Sequence, residues 1–316
     1  MRFAVPYFRK DGGKWMAAAN EIIIKYKDED ESALADFIKN HPSQRIIIKI
    51  EDIYRFKKNS AINKYIFSKL KEEYKLTNWA IEFCAGREEI PVMEIWLKDT
   101  ELIDKIPYFY SFTPQNYEQL DRLIHLNVTD IYIVGYLAFD IINVRRMINK
   151  KSKVRKNIRL IPNLCQSYWI DELSLSSFFI RPEDIELYED YVDVMEIYAV
   201  NLAQIECADV YFDIYSKSGT WMGDLKEYLL DCNESINNIY IWKDFGERRL
   251  KCKKRCRADG SCNFCEQQRE YIRLMEQTMD KIGHTDSQIK EQEERETAIE
   301  DESIYEYIGE EAIDIT

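Results

Sequence analysis

The sequence predicts an α/β fold, a compact (β/α)8 barrel of the TIM type followed by an α-rich extension that contains cysteines. Short runs rich in β-branched and aromatic residues recur through residues 1–200, and the pattern changes after residue 200. Segments with helical periodicity lie between most of these runs. Strands that alternate with helices are typical of βαβ units and a parallel sheet. Eight such strands close a barrel.

Eight runs are the predicted strands, and residues 1–8 are either an additional strand or a plug across one end of the barrel. The strands are expected at 21–26, 45–50, 78–83, 107–112, 130–135, 157–162, 175–180 and 192–197. Helix-like segments include 32–40, 61–75, 116–126 and 138–150. Pro182 begins another helical segment, because proline fits the first position of a helix. A further run at 239–245 has the composition of a late strand.

Composition divides the chain into the barrel at 1–200, an extension at 201–284 and an acidic tail at 285–316. The tail has twelve acidic and two basic residues, so it carries −10 of the net charge of −13. We expect the tail to be disordered. The alternative is a segment that binds a protein partner. No run approaches the ~18 apolar residues of a membrane helix, and we expect a cytoplasmic protein.

Four of the eight cysteines fall in one short stretch with the pattern C-x3-C-x5-C-x2-C. They are Cys252, Cys256, Cys262 and Cys265. Four thiolates in a short loop can surround one metal ion or cluster. The run that follows, 266–283, is helical in pattern, and the start of a helix favours thiolates. Disulfides would need an oxidising compartment, and we recognise no secretory signal in the sequence. All-cysteine ligation suits both zinc and an iron–sulfur cluster.

Polar residues inside the predicted strands mark a candidate site, because strands of a parallel barrel are covered on both faces and are otherwise apolar. In 78–83, for example, Glu82 shares a face with Ala80. If these faces point inward, their polar residues lie toward the C-terminal mouth, where barrel active sites form. The predicted catalytic residues are Lys49, Glu51, Glu82 and Glu196. The predicted substrate-binding residues are Asn163 and Arg181. The alternative is an internal network of ion pairs.

Two stretches resemble motifs of peptidase family U-32, collagenase-like proteins with a compact barrel. The strand–Asn–x–Cys turn of the family is similar to IRLIPNLCQSYW at 158–169. Its Arg-Pro-Glu-Asp segment is similar to FFIRPEDIELYEDYVDVMEIYAVN at 178–201. The resemblance covers about residues 20–200. It implies a [4Fe–4S] cluster and an oxygen-independent hydroxylation of RNA or of a small aromatic, quinone-like molecule. It also implies Cys165 as an additional cluster ligand. The chain departs from the family pattern because the other candidate ligands lie at 252–265.

Two further observations bear on function. The three histidines, His41, His125 and His284, fit no catalytic motif, so proteolysis is not supported. Basic runs at 145–156 and 248–257 either contact RNA phosphates or are a solvated helix end and charges that stabilise thiolates. A second function is therefore kept beside the enzyme: a non-catalytic barrel scaffold with a structural zinc and a partner-binding tail.

Overall fold

Eight parallel strands form a closed barrel in the computed structural model of the chain. The structure describes residues 1–7, 14–26, 31–86, 88–103, 105–126, 128–162, 179–198, 211, 213, 240–251 and 263–295. Each strand pairs with the next one in the chain, and the last pairs with the first. The strands are β1 Arg2–Pro6, β2 Glu21–Lys25, β3 Arg45–Ile50, β4 Trp79–Cys84, β5 Tyr108–Phe112, β6 Asp130–Ile133, β7 Asn157–Leu160 and β8 Val194–Glu196. The predicted barrel is confirmed.

Helices connect the strands on the outside of the barrel, and two more follow β8 among the residues that the structure describes. They are α1 Lys14–Ala18, α2 Glu31–Asn40, α3 Ile53–Lys58, α4 Ser60–Glu72, α5 Glu89–Asp99, α6 Tyr117–Ile124, α7 Gly135–Phe139, α8 Ile141–Lys151, α9 Phe245–Leu250 and α10 Asn263–Arg295. Asp52 and Asn116 cap α3 and α6, each accepting a hydrogen bond from the backbone N–H three residues later. The segment that begins at Pro182 is a 3₁₀ helix, Pro182–Tyr188.

Two of the predicted strands are wrong. The eighth barrel strand is β1, within residues 1–8, and not 175–180, because β7 pairs directly with β8 and leaves no place between them. Of the run 175–180, the described residues Phe179 and Ile180 are not in a strand. Of the predicted late strand at 239–245, the described residues 240–244 are not in a strand, and Phe245 already begins α9.

The strands bury both faces, and alternation along each strand separates two apolar regions. In β3, Ile46 and Ile48 point outward and pack in the large core between the sheet and the helices. Ile47 points inward. The interior apolar cluster comprises Ala4, Ile23, Ile47, Ala80, Phe109 and Val194. The barrel is therefore filled below its mouth, as expected for eight strands.

The chain divides into two compact units, Met1–Gln268 and Arg269–Thr316. The first contains the barrel and residues 240–251. The described part of the second is helical to Arg295, beyond residue 285 where the acidic tail was predicted to begin. Residues 296–316 lie outside the described part of the chain. No helix among the described residues is long and apolar enough to cross a membrane.

Within the first unit, Arg249 of α9 is buried among aromatic rings. Its guanidinium carbon lies 4.5 Å from the ring centroid of Phe139, 4.9 Å from that of Phe179 and 5.3 Å from that of Phe245. Its Nη1 donates to the carbonyl oxygen of Phe179 at 3.3 Å. Cation–π contacts of this kind stabilise a buried guanidinium. They join α9 to the barrel at α7 and at the segment before the 3₁₀ helix.

Candidate functional site at the barrel mouth

The carboxyl ends of the strands surround an open pocket of about 400 Å³. A volume of this size suits a small organic ligand, and the carboxyl ends are where barrel enzymes place their active sites. The pocket is lined by Lys49, Cys84, Ala85, Gly86, Ser111, Phe112, Thr113, Tyr132, Val134, Ile161, Glu196 and Tyr198.

Lys49 lines the floor of the pocket. The inward face of β3 carries it, in register with Glu82 of β4. Its Nζ atom is 3.8 Å from Glu82 Oε1 and 3.5 Å from Glu196 Oε1. Its third neighbour is the Tyr132 Oη atom, also at 3.5 Å. All three distances are long for a charge-assisted hydrogen bond, so the ammonium group retains capacity to donate to a ligand.

Glu82 lies beneath the pocket and is fully buried. Ser111 Oγ donates to its Oε1 atom at 2.6 Å, and Cys84 Sγ lies 3.6 Å from the same oxygen. The other carboxylate oxygen, Oε2, has no hydrogen-bond partner among the described residues. An unpartnered buried oxygen is costly, so this atom requires an explanation beyond packing.

Glu196 is held from three sides. Tyr132 donates its hydroxyl to Oε2, Lys49 approaches Oε1, and Arg159 Nη1 lies 3.8 Å from Oε2. Burial raises the pKa of Glu196, but the positive charges of Lys49 and Arg159 outweigh it and lower the pKa. Glu196 is therefore a carboxylate at neutral pH.

Three other groups that line the pocket keep their protons at neutral pH. Burial lowers the pKa of Lys49, yet Glu196 and Glu82 raise it well above the ordinary value. Burial, followed by the charge of Glu82, raises the pKa of the Cys84 thiol to about 12. Burial, followed by Glu196 and Glu82, raises the pKa of Tyr132. The floor thus presents an ammonium, a phenol and a thiol beside an ionised carboxylate.

The structure brings Lys49, Glu82 and Glu196 together and leaves two other predicted site residues apart. Glu51 lies just beyond β3, half exposed, and its Oε1 atom is 3.1 Å from Lys25 Nζ. Arg181 is buried away from the pocket lining.

Arg181 supports the 3₁₀ helix. It forms a bidentate pair with Asp184, Nε to Oδ2 at 2.6 Å and Nη2 to Oδ1 at 2.9 Å, and also donates to the carbonyl oxygen of Lys243 at 3.0 Å. Gly246 of α9 packs against this pair, because a Cβ atom there would lie 2.3 Å from Asp184 Cγ. These contacts give Arg181 a structural place at the junction with residues 240–251. Asn163 lies outside the described residues.

Four residues of the site were not among the predicted ones: Ser111, Tyr132, Cys84 and Arg159. Tyr132 is one of the inward residues of DIYI and Ser111 one of those of YFYSF, and a tyrosine or a serine is an ordinary residue in a strand. The pairing register of neighbouring strands could have indicated that Ser111 lies near Glu82. Ser111 is two residues after Phe109, which faces Glu82 across β4 and β5.

The cysteine loop at 252–262 lies outside the described residues, but both of its ends are described. Phe245 of α9 and Phe264 of α10 stack with ring centroids 5.4 Å apart. Gln268 accepts a hydrogen bond from Trp242 N and donates to the carbonyl oxygen of Tyr240. The segments on the two sides of the loop are therefore in contact, which fits a donor set of four thiols around one centre. Cys265 is the third residue of α10.

The basic run at 145–156 lies at the amino ends of β7 and β8, on the side of the barrel opposite the mouth. Arg145 and Arg155 pair with Asp193. Lys156 Nζ donates to the carbonyl oxygens of Leu126 and Val128. These three cations are thus engaged in contacts within the barrel unit.

No protein-family model matches the chain, and no curated protein matches its sequence.

Proposed function

We propose that the protein is an enzyme that binds a small organic substrate at the barrel mouth and modifies it with the help of a cysteine-ligated redox centre. The observation that carries the first half is the position of Lys49. Its ammonium group lines the pocket, is held between Glu82 and Glu196, and has no short hydrogen bond to the described part of the chain. A fixed donor of this kind orients a substrate oxygen.

The protonation states of the floor favour binding over proton transfer. A general acid or base works best when its pKa lies near the working pH. The pKa values of Lys49, Tyr132 and Cys84 are too high for that role. Nucleophilic catalysis by Lys49 would need its neutral amine, and at neutral pH the raised pKa keeps almost all of it as ammonium. The described pocket groups are thus suited to bind and polarise a substrate while another group performs the reaction.

The second half of the proposal rests on the donor set of the cysteine loop and on the resemblance to peptidase family U-32. Cys252, Cys256, Cys262 and Cys265 would hold the centre, with Cys165 as an additional ligand. A [4Fe–4S] cluster is the first candidate, and it supplies electron transfer when bound. The expected reaction class is an oxygen-independent, hydroxylation-type modification.

A small molecule suits the mouth better than RNA. Among the described residues at the floor, the carboxylates of Glu82 and Glu196 lie 3.8 and 3.5 Å from the single ammonium group of Lys49, so carboxylates outnumber ammonium groups and favour a negative potential. Phosphate groups are repelled by such a potential. We therefore propose a small aromatic or otherwise planar substrate.

The metal content of anaerobically purified protein tests the redox half. We expect iron and sulfide, a visible absorption band, and loss of that band in Cys256→Ser. A colourless protein with one equivalent of zinc would instead support a non-catalytic scaffold with a structural metal site. Thiols that all react freely in metal-replete protein would reject both.

A fragment screen followed by backbone amide chemical shifts tests the binding half. Fragments with an oxygen acceptor should shift the amides of Gly86, Thr113 and Val134, which line the pocket. Lys49→Met should weaken these fragments about tenfold, since a charge-assisted hydrogen bond is lost. Lys151→Met is the matched control, because Lys151 of α8 pairs with Asp121 of α6 outside the pocket lining. Shifts that cluster elsewhere would contradict the proposed site.

A further inference from the structure

The charges inside the described barrel separate into two layers along its axis. In the lower layer, near the amino ends of the strands, Arg2 Nη1 lies 2.6 Å and Arg45 Nη1 3.6 Å from Glu21 Oε1. Arg159 lies 2.5 Å from Glu21 Oε2 and 2.9 Å from Asp130 Oδ1. Three guanidinium groups therefore meet two carboxylates, and this layer carries an excess of positive charge.

The upper layer, at the mouth, has the opposite excess. Among the described residues there, Glu82 and Glu196 face one ammonium group, that of Lys49. Arg159 comes within 3.8 Å of Glu196, but its short contacts are in the lower layer. Counted once each, the eight charges of the two layers balance among the described residues, and Arg159 is shared between the layers. The mouth itself has two carboxylates beside one ammonium group and one edge of this guanidinium.

The unpartnered oxygen of Glu82 lies on the side of this excess. Glu82 is fully buried, and its Oε2 atom has no donor among the described residues. Its neighbours Ser111 and Cys84 line the pocket directly above it. A buried carboxylate without a full set of donors is stabilised by a positive charge placed close by. The pocket is the accessible place for such a charge.

The walls of the pocket also favour cations. Phe112, Tyr132 and Tyr198 line it. The Lys49 ammonium lies 4.9 Å from the ring centroid of Tyr132, and Lys25 Nζ lies 5.8 Å from that of Tyr198. Aromatic faces attract ammonium groups through their quadrupole. The raised pKa of Lys49, to which both carboxylates contribute, agrees with a site that stabilises positive charge.

We infer that the ligand of the mouth carries a positively charged nitrogen on an apolar or aromatic body. This inference rests on the proposed use of the mouth as a substrate site. The nitrogen would bring the two carboxylates and Lys49 to charge balance, and the body would contact Phe112, Val134 and Ile161. Within the proposed function, the substrate is then an aromatic molecule that carries an aliphatic ammonium group and an oxygen for Lys49.

Three probes of equal size separate charge from shape: benzylamine, benzyl alcohol and benzoate. Each is titrated into the full chain, and its dissociation constant is taken from the amide shifts of Gly86, Thr113 and Val134. We expect benzylamine to bind about tenfold tighter than benzyl alcohol and benzoate to bind weakest, because a unit charge near a partly buried carboxylate contributes at least that factor.

Glu196→Gln keeps the shape of the floor and removes one negative charge. The preference for benzylamine over benzyl alcohol should fall about tenfold in this variant. Glu82→Gln should also reduce this preference. It serves as the test variant if Glu196→Gln does not fold. Glu51→Gln is the matched control, since Glu51 pairs with Lys25 at the exposed rim, and it should leave the preference unchanged.

Three results would overturn the inference: benzoate binding as tightly as benzylamine, a preference that folded Glu196→Gln and Glu82→Gln both leave intact, or no mouth shift with any probe. In the first case the mouth remains a binding site and only the ligand class is wrong. If the wider fragment screen also leaves the mouth amides unshifted, the proposed function fails as well.

Discussion

At the scale of single residues, two buried lysines show how partners decide a protonation state. Burial lowers the pKa of Lys156, whose Nζ atom meets the carbonyl oxygens of Leu126 and Val128. Burial acts on Lys49 in the same direction, but Glu196 and Glu82 reverse it. Carbonyl dipoles thus solvate an ammonium group without compensating its desolvation, whereas full negative charges do both. Lys49 therefore keeps its positive charge to a higher pH than Lys156 does.

The alkylation rate of the Cys84 thiol reports on the charges of Glu82 and Lys49 beside it. With a pKa of about 12, the thiol should react slowly with iodoacetamide at pH 8 and faster only as the pH rises toward that value. Glu82→Gln should lower the pKa and speed alkylation, because Glu82 is the largest charge contribution to it. Lys49→Met should slow alkylation, since Lys49 lowers the pKa.

Peptide-level mass spectrometry of the Cys84 peptide, at several pH values, gives the rates. Glu51→Gln is expected to match the wild type. Equal rates in Glu82→Gln and Lys49→Met would show that the thiol is governed by access alone and not by these charges.

The polar cluster was predictable in part from the sequence. A lysine and two glutamates interrupt apolar strands, and strand alternation puts each of them on the inward face. Glu51 was misjudged for a physical reason: it shares the alternation of Lys49, but β3 ends at Ile50, so the side chain leaves the sheet and meets Lys25. Tyr132 could not be singled out, because an aromatic residue in a strand is ordinary and only the fold brings its hydroxyl to Glu196.

At the scale of elements, Asp193 joins three segments just before β8. It accepts hydrogen bonds from Arg145 of α8, from the backbone N–H of Ile158 in β7 at 2.8 Å, and from Arg155 at 3.1 Å. Burial raises the pKa of Asp193, but these donors outweigh it and lower the pKa. Because the folded pKa is depressed, the carboxylate contributes stability above its unfolded pKa, and this is lost as the pH falls through the folded value.

Asp193→Asn should therefore lower the free energy of unfolding by about 1–3 kcal/mol at pH 7, since Arg145 and the backbone N–H of Ile158 lose a largely buried anionic acceptor. Urea unfolding at pH 7 and at pH 3 checks this. The gap between wild type and variant should narrow at pH 3, which lies below the ordinary pKa of an aspartate, so that the unfolded chain is protonated there and part of the stabilisation is lost.

The matched control for that measurement is Asp36→Asn. Asp36 is exposed and pairs with Lys39 at 3.7 Å on the surface of α2. Its replacement should change stability by less than about 0.5 kcal/mol. An Asp193→Asn deficit of the same size at both pH values would refute the electrostatic account.

Element identity was largely predictable, and the two errors have simple causes. Seven of the eight barrel strands stand out as runs of Ile, Val, Tyr and Phe. The first strand, β1, is a five-residue RFAVP that ends in proline, and its small Ala4 fits a crowded barrel interior. Isolated from its neighbours, it has little strand character. Conversely, 239–245 is rich in Ile, Tyr and Trp without a sheet edge available to it, and its aromatic residues contact Phe264 instead.

At the scale of the whole molecule, the interior apolar cluster supports the site from below. Ala4 and Ala80 leave room for Phe109 in the centre of the barrel. Because the interior is filled, the charged layers are held apart, and the mouth pocket has a fixed floor.

Ala4→Leu should destabilise the protein by about 1–3 kcal/mol, because the extra methylenes have no space in a packed interior. Thermal unfolding followed by circular dichroism measures the change. Ala18→Leu adds the same atoms at an exposed position of α1 and should have little effect on the melting temperature. If the two variants melt together, the interior has unused volume and the floor of the pocket is deformable.

The pairing of β1 with β8 has a consequence for folding during synthesis. Arg2 lies beside Val194, 192 positions later in the chain, so the ring of strands cannot close until almost the whole barrel sequence has left the ribosome. Until then β1 has one neighbour, and the nascent sheet presents two bare edges that can recruit strands from other chains. Contacts this distant in sequence form slowly. The yield of native protein therefore depends on how long the open sheet is shielded during synthesis, and variants that weaken β1 should lower the yield of folded protein in addition to its stability.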